Sequence, residues 1–198
     1  MCIRDSPIKT LLAIAHVRRK TRGRVALENT HPFVRELWGR SLVFAHNGTV
    51  RGAKKLELGR FRPVGDTDSE HAFCALLARL ERRFDHYPRS RQALSEAVAE
   101  IGDEIGSRGS FNFLLGDGVH LFARCATKLS YIERKAPFRE ATLADDEVRV
   151  DFARVTTPND RVAIVATAPL TRDEEWTVGK PGTLWVFQKG ALRATFGP

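Results

Sequence analysis

His46-Asn47-Gly48 directly follows the apolar run Leu42-Val43-Phe44-Ala45. An asparagine amide beside a glycine N–H can aim two donors at an oxygen that turns negative during acyl transfer. Each such donor is worth about 3–4 kcal/mol to the transition state. The same dipeptide is also a strong hairpin-turn signal, because both residues accept positive φ, so two readings stand. Asp68 opens an apolar-periodic segment, where a carboxylate either complements a helix dipole or binds a substrate ammonium group. Arg18, at the end of another apolar run, is either a solvent-facing charge or a fork for a carboxylate. His16, His31 and His46 lack metal-ligand spacing, and no cofactor is expected. Cys74 and Cys125 read as small core residues.

Elements that could position these groups follow from periodicity. Leu11–Val17 reads as a mostly buried strand, and Ser41–Val50 as another, with a loop from Arg18 to Pro32 between them. Ala72, Phe73, Leu76, Leu77, Leu80 and Phe84 share one helical face, and Thr67-Asp68-Ser69-Glu70 in front of them fits a capping box. A second helix spans Gln92–Ile105. Phe111–Leu115 and Val119–Arg124 then form a hairpin around Gly116-Asp117-Gly118. Further strands are expected at Leu129–Arg134, Val148–Phe152, Arg161–Ala168, Thr183–Gln188 and Leu192–Phe196. Strands, two consecutive helices and more strands imply an α+β fold with antiparallel sheets.

The chain of 198 residues carries 32 Lys+Arg against 24 Asp+Glu, a formal charge of +8, with 42% hydrophobic and 28% charged residues. That is globular composition, not disorder. No apolar run approaches the ~20 residues of a membrane span, and the opening Met1–Ser6 has no secretory h-region, so a cytoplasmic protein is expected. Three widely spaced cysteines, none in a Cys-x-x-Cys pair, argue against a disulfide scaffold or zinc ribbon. The basic residues are dispersed, which argues for a solvated face over a nucleic-acid surface.

Taken together, the motifs resemble those of the class II glutamine amidotransferases, the N-terminal-nucleophile (Ntn) family. Arg18-Arg19-Lys20-Thr21-Arg22-Gly23 is similar to that family's Arg-x-x-Thr-x-Gly, and Asn29-Thr30-His31-Pro32 to its Asn-x-His-Pro. His46-Asn47-Gly48 and Thr67-Asp68-Ser69-Glu70 match two more of its motifs in order and approximate spacing. Leu27–Phe33 together with Thr156–Asp160 resembles the small stand-alone bacterial members. The resemblance implies a four-layer αββα sandwich with two antiparallel sheets. It also implies a glutamine or γ-glutamyl substrate with its carboxylate on Arg18, its amine on Asp68, and Thr21 and His31 near the pocket. Asn47 and Gly48 would hold the oxyanion. The nucleophile would be a cysteine exposed by Met removal, which forms a thioester and releases ammonia, with its own α-amine as base. An acceptor-domain protein partner and a homo-oligomer are both compatible with this.

Cys2 fits the nucleophile by position only. Residues 3–15 alone separate it from His16, no Asp-Gly-Trp-Gly motif occurs, and Ile3-Arg4-Asp5-Ser6-Pro7 makes a poor strand. The expectation is therefore a single amidotransferase domain over residues 7–198, truncated at its N-terminus, behind a non-matching leader at 1–6. The alternative from another class is a catalytically inactive glutamine-binding or protein-interaction module derived from that family.

Overall fold

Alternating side chains on the central strands decide the architecture. In the computed structural model, which describes residues 10–17, 26–145, 148–154 and 156–198, a six-stranded antiparallel sheet is built from β1 (Phe33–Leu37), β2 (Arg40–Val50), β3 (Gly109–Gly116), β4 (Leu121–Arg124), β10 (Leu184–Gln188) and β11 (Ala191–Phe196), in that order. On one face Phe44, Phe111, Phe113, Leu115, Phe122, Leu184 and Val186 join the buried side of α1 (Asp68–Arg83) and α2 (Arg91–Gly106) in the main core. Phe44 stacks on Phe73 with ring centroids 4.7 Å apart. The other face presents Leu114, Leu121, Ala123, Trp185 and Phe187 to a smaller sheet of β8 (Arg161–Ala166), β5 (Ser130–Lys135) and β9 (Thr177–Val178). This is period-two patterning with both faces buried, as a sheet between two layers requires.

The described residues thus supply helix, sheet and sheet layers in sequence, in the expected α+β class. A two-stranded hairpin of β6 (Glu140–Thr142) and β7 (Arg149–Asp151) adds to the rim. No described helix is long and apolar enough to cross a membrane.

Two buried polar devices hold the helical layer. Arg124 points from β4 into α2, where it donates to the Phe111 carbonyl (3.1 Å) and to Asp103 (2.8 Å). Gly102 and Gly106 make room for it: an added Cβ would come within 2.7 Å and 2.8 Å of Arg124 side-chain atoms. At the β3–β4 turn, Asp117 accepts from the Val119 and His120 N–H groups (2.8 and 2.6 Å) and from Tyr87 Oη (2.7 Å).

The structure corrects two readings. Residues 12–17 form an extended stretch that belongs to no sheet, with Leu11 86% and Val17 97% exposed and Leu12, Ile14 and His16 turned inward. Its apolar residues alternate, so only half of them find cover; Leu12 and Ile14 pack toward Gly116. Asn47-Gly48 is not a hairpin turn, since β2 runs through it in register with β3, Asn47 opposite Asn112 and Gly48 opposite Phe111. The first hairpin instead turns at Trp38-Gly39, both at positive φ (58° and 73°). There the Trp38 indole donates to the Phe84 carbonyl at 3.0 Å and so anchors the turn.

Burial alone would raise the Asp117 pKa, but donors from His120, Tyr87 and Val119 outweigh it and hold the carboxyl at about 2. An unfolded aspartate titrates near 3.9. Its contribution is therefore complete above about pH 4 and is lost as pH falls toward 2, amounting to about 2 kcal/mol. Urea unfolding of Asp117→Asn should show lower stability than the native chain at pH 6, with the gap narrowing as pH falls from about 4 toward 2.

Candidate active site

Three sequence motifs meet where β2 ends against the first turn of α1. His46 points into the helical layer, with Nε2 3.0 Å from the Ser110 carbonyl and Nδ1 2.8 Å from Ser69 Oγ. A carbonyl only accepts, so Nε2 carries the proton and Nδ1 takes the Ser69 hydroxyl. Burial pushes the His46 pKa down, against the opposing pull of the Ser110 carbonyl and the Asp68 charge, so the ring stays neutral. His46 is a strut.

The neighbouring residues of α1 continue the joint. Asp68 Oδ2 accepts from the Val50 N–H at 2.7 Å, while its second oxygen takes no hydrogen bond from the described residues. Thr67 Oγ1 accepts from the Glu70 N–H (3.2 Å), which is half of a capping box. The Glu70 carboxylate does not return to Thr67. It is 1% exposed, pairs with Arg35, and accepts from the Val64 and Gly65 N–H groups at 2.9 and 2.8 Å.

That carboxylate fixes the 62–66 loop, and the loop in turn holds the Asn29–Pro32 segment. The Asp66 N–H donates to Asn29 Oδ1 at 3.1 Å. An added Cβ at Gly65 would fall 2.3 Å from that oxygen, so only glycine fits. His31 lies against His16, ring centroids 4.3 Å apart, and edge-on to Phe33.

Asn47 and Gly48 lie exposed just past the His46 strut. Gly48 is required by closeness to β3: its φ is +148°, and an added Cβ would sit 2.0 Å from the Ser110 oxygen. Asn47 also borders a cavity of about 900 Å³ between the sheets, lined by Leu12, Ile14, His16, Asn112 and Ile164 among others.

The structure therefore brings His31, Asn47, Gly48 and Asp68 to one end of the central sheet. Cys2, Arg18 and Thr21 lie outside the described residues. Cys74 and Cys125 are buried. Burial pushes the Cys74 thiol up to about 11 and the Cys125 thiol in the same direction, so neither is a ready nucleophile. Among the described residues no group of three or more His, Cys, Asp or Glu could hold a metal. Sequence reasoning missed Glu70 as the loop anchor and Asn112 as a buried polar partner of Asn47. The signal for Asn112 was a lone polar residue between Phe111 and Phe113 in an otherwise apolar strand.

The sequence model of the family described as "Glutamine amidotransferases class-II" matches residues 1–198. The chain belongs to that family. It is 50% identical over 188 residues to the Escherichia coli (strain K12) protein named "Putative glutamine amidotransferase YafJ", covering 95% of this chain and 74% of that protein. A Haemophilus influenzae protein named "Putative glutamine amidotransferase" is 41% identical, and the chain covers 64% of it.

A 2.0 Å crystal structure described as a "predicted glutamine amidotransferase from Pseudomonas aeruginosa PA01" superposes with a TM-score of 0.80 at 45% identity, over 90% of this chain and 70% of that one. Glutamine phosphoribosylpyrophosphate amidotransferase from B. subtilis, at 15% identity and a TM-score of 0.51, shares the fold over 91% of this chain and 33% of its own. The fold is of the Ntn type.

Glu70→Gln turns an amide NH₂ toward the Gly65 N–H and removes the charge facing Arg35. It should cost about 2 kcal/mol in urea unfolding and speed amide exchange at Val64, Gly65 and Asp66 more than in α2.

Proposed function

We propose that the chain binds glutamine, or a γ-glutamyl compound, and hydrolyses its side-chain amide with release of ammonia. The observation that carries this reading is the Asp68 carboxylate. One oxygen is committed to Val50 N–H, the other takes no hydrogen bond from the described residues, and the same joint holds Asn47 and Gly48.

In this reading Asp68 takes the substrate ammonium group and Arg18, two residues past His16, takes the carboxylate in a bidentate fork. Thr21 and His31 border the pocket, and residues 7–198 form the domain that carries it. The Asn47 amide and the Gly48 N–H receive the amide oxygen as it becomes negative. Cys2, made N-terminal by loss of Met1, attacks the amide carbon, and its α-amine, with a pKa near 8, takes the thiol proton. That proton leaves with the departing nitrogen as ammonia. Water then cleaves the thioester to glutamate and restores the thiol.

Ammonia release from L-glutamine tests the assignment. Cys2→Ala should abolish it, and Asn47→Ala should lower kcat/KM by about 100- to 1000-fold. Asp68→Asn should raise KM at least about tenfold. Thermal stabilisation by glutamine without ammonia release would instead mark a binding module that has lost turnover.

A further inference from the structure

Asn112 faces the inter-sheet side of β3, is 4% exposed, and lies directly opposite Asn47 in the ladder. One end of its amide meets three backbone N–H groups, those of Ala126 (2.8 Å), Thr127 (2.9 Å) and Lys128 (3.3 Å). Three converging donors identify that atom as the oxygen. The nitrogen therefore spends its two protons on the Asn47 carbonyl and on Thr127 Oγ1, both at 2.9 Å.

The Asn47 carbonyl and the Gly48 N–H belong to one planar trans peptide, so they point in opposite directions. With the carbonyl drawn toward Asn112, the Gly48 N–H is turned away from β3. It faces the side of β2 that β1 leaves uncovered, since their pairing stops at Phe44. Gly48 has no side chain to resist rotation of this peptide. The hydrogen bond from Asn112 adds to the hold of the ladder on this peptide, and by polarising the carbonyl it strengthens the N–H on the other side.

We infer that Asn112 is a positioning residue for the oxyanion donors, acting by fixing the Asn47–Gly48 peptide and tying it to the 126–128 loop between the sheets. This rests on the assignment of that peptide to the oxyanion site.

Asn112→Asp separates this role from plain loop anchoring, because it keeps the acceptor for the three loop N–H groups and removes both donors. Calorimetry on the full chain, with Cys2→Ala in native and variant alike to prevent turnover, compares L-glutamine with L-norvaline, which has a methyl group where glutamine has its amide. The native chain should bind glutamine at least about tenfold more tightly, an advantage a pair of well-placed donors can supply. In Asn112→Asp that advantage should fall below about threefold, with norvaline affinity unchanged within about twofold. Equal loss for both ligands would mean a merely structural role and overturn the inference.

A native chain that does not distinguish the two ligands would instead refute the oxyanion assignment. The Gly48 amide, followed by NMR without ligand, then decides the positioning separately. Its cross-peak should move and its exchange quicken in Asn112→Asp, and an unmoved peak would overturn the inference. Should that variant not fold, Asn112→Ser, whose short hydroxyl loses the Asn47 carbonyl and the loop N–H groups alike, should still move the Gly48 cross-peak, and an unmoved peak would overturn the inference.

Discussion

The joint between the first turn of α1 and the end of β2 is what the rest of the site depends on. Three consecutive helix residues each hold a different piece of backbone or side chain: Asp68 the Val50 N–H, Ser69 the His46 ring, and Glu70 the Val64 and Gly65 N–H groups. None of these bonds is individually large, since a net hydrogen bond contributes about 1 kcal/mol. Their value lies in cooperation at one buried corner, where an orphaned partner costs more than the bond itself gains. A shift of α1 along the sheet would break all three together.

That joint has a chemical consequence. Transition-state stabilisation by fixed donors works only when the donors need not reorganise during the reaction. His46 clamps the strand just before Asn47, Val50 is clamped just after Gly48, and Ser110 on β3 packs against the Gly48 α-carbon. Two exposed residues are thereby held between buried anchors. The same helix turn that braces them also carries Asp68, one oxygen of which takes no hydrogen bond from the described residues, so the proposed charge anchor and the proposed oxyanion donors share one rigid support. That arrangement suits a substrate with an amino acid head and an amide tail.

Much of this was legible in the sequence, and the exceptions have physical reasons. Helices α1 and α2 and strands β2–β5 follow from apolar periodicity, because the core demands it at Phe73, Leu76, Leu80, Val98 and Ile101. The motif residues His31, Asn47, Gly48 and Asp68 lie at one end of the central sheet. The Asn47-Gly48 pair also signalled a turn, but here the glycine's freedom is used for close approach between strands. The actual turn, Trp38-Gly39, lacks the usual Asn or Asp and relies on the Trp38 indole bond to Phe84. Strands β6 and β9 are too short to show a period. Leu11–Val17 has a strand's composition without a ladder, since composition does not reveal whether a partner edge exists. Glu70 looked like half of a capping box, and only the three-dimensional fold reveals that its carboxylate turns to the 62–66 loop.

The central claim is that this corner is a glutamine pocket served by an N-terminal thiol. Peptide mapping after treatment with a diazoketone analogue of glutamine addresses it directly, because the reagent must be recognised as glutamine before it alkylates. The account predicts one adduct, on a Cys2 freed of Met1, suppressed by excess L-glutamine. Labelling of Cys74 or Cys125 that glutamine does not suppress, or no adduct at all, would contradict it.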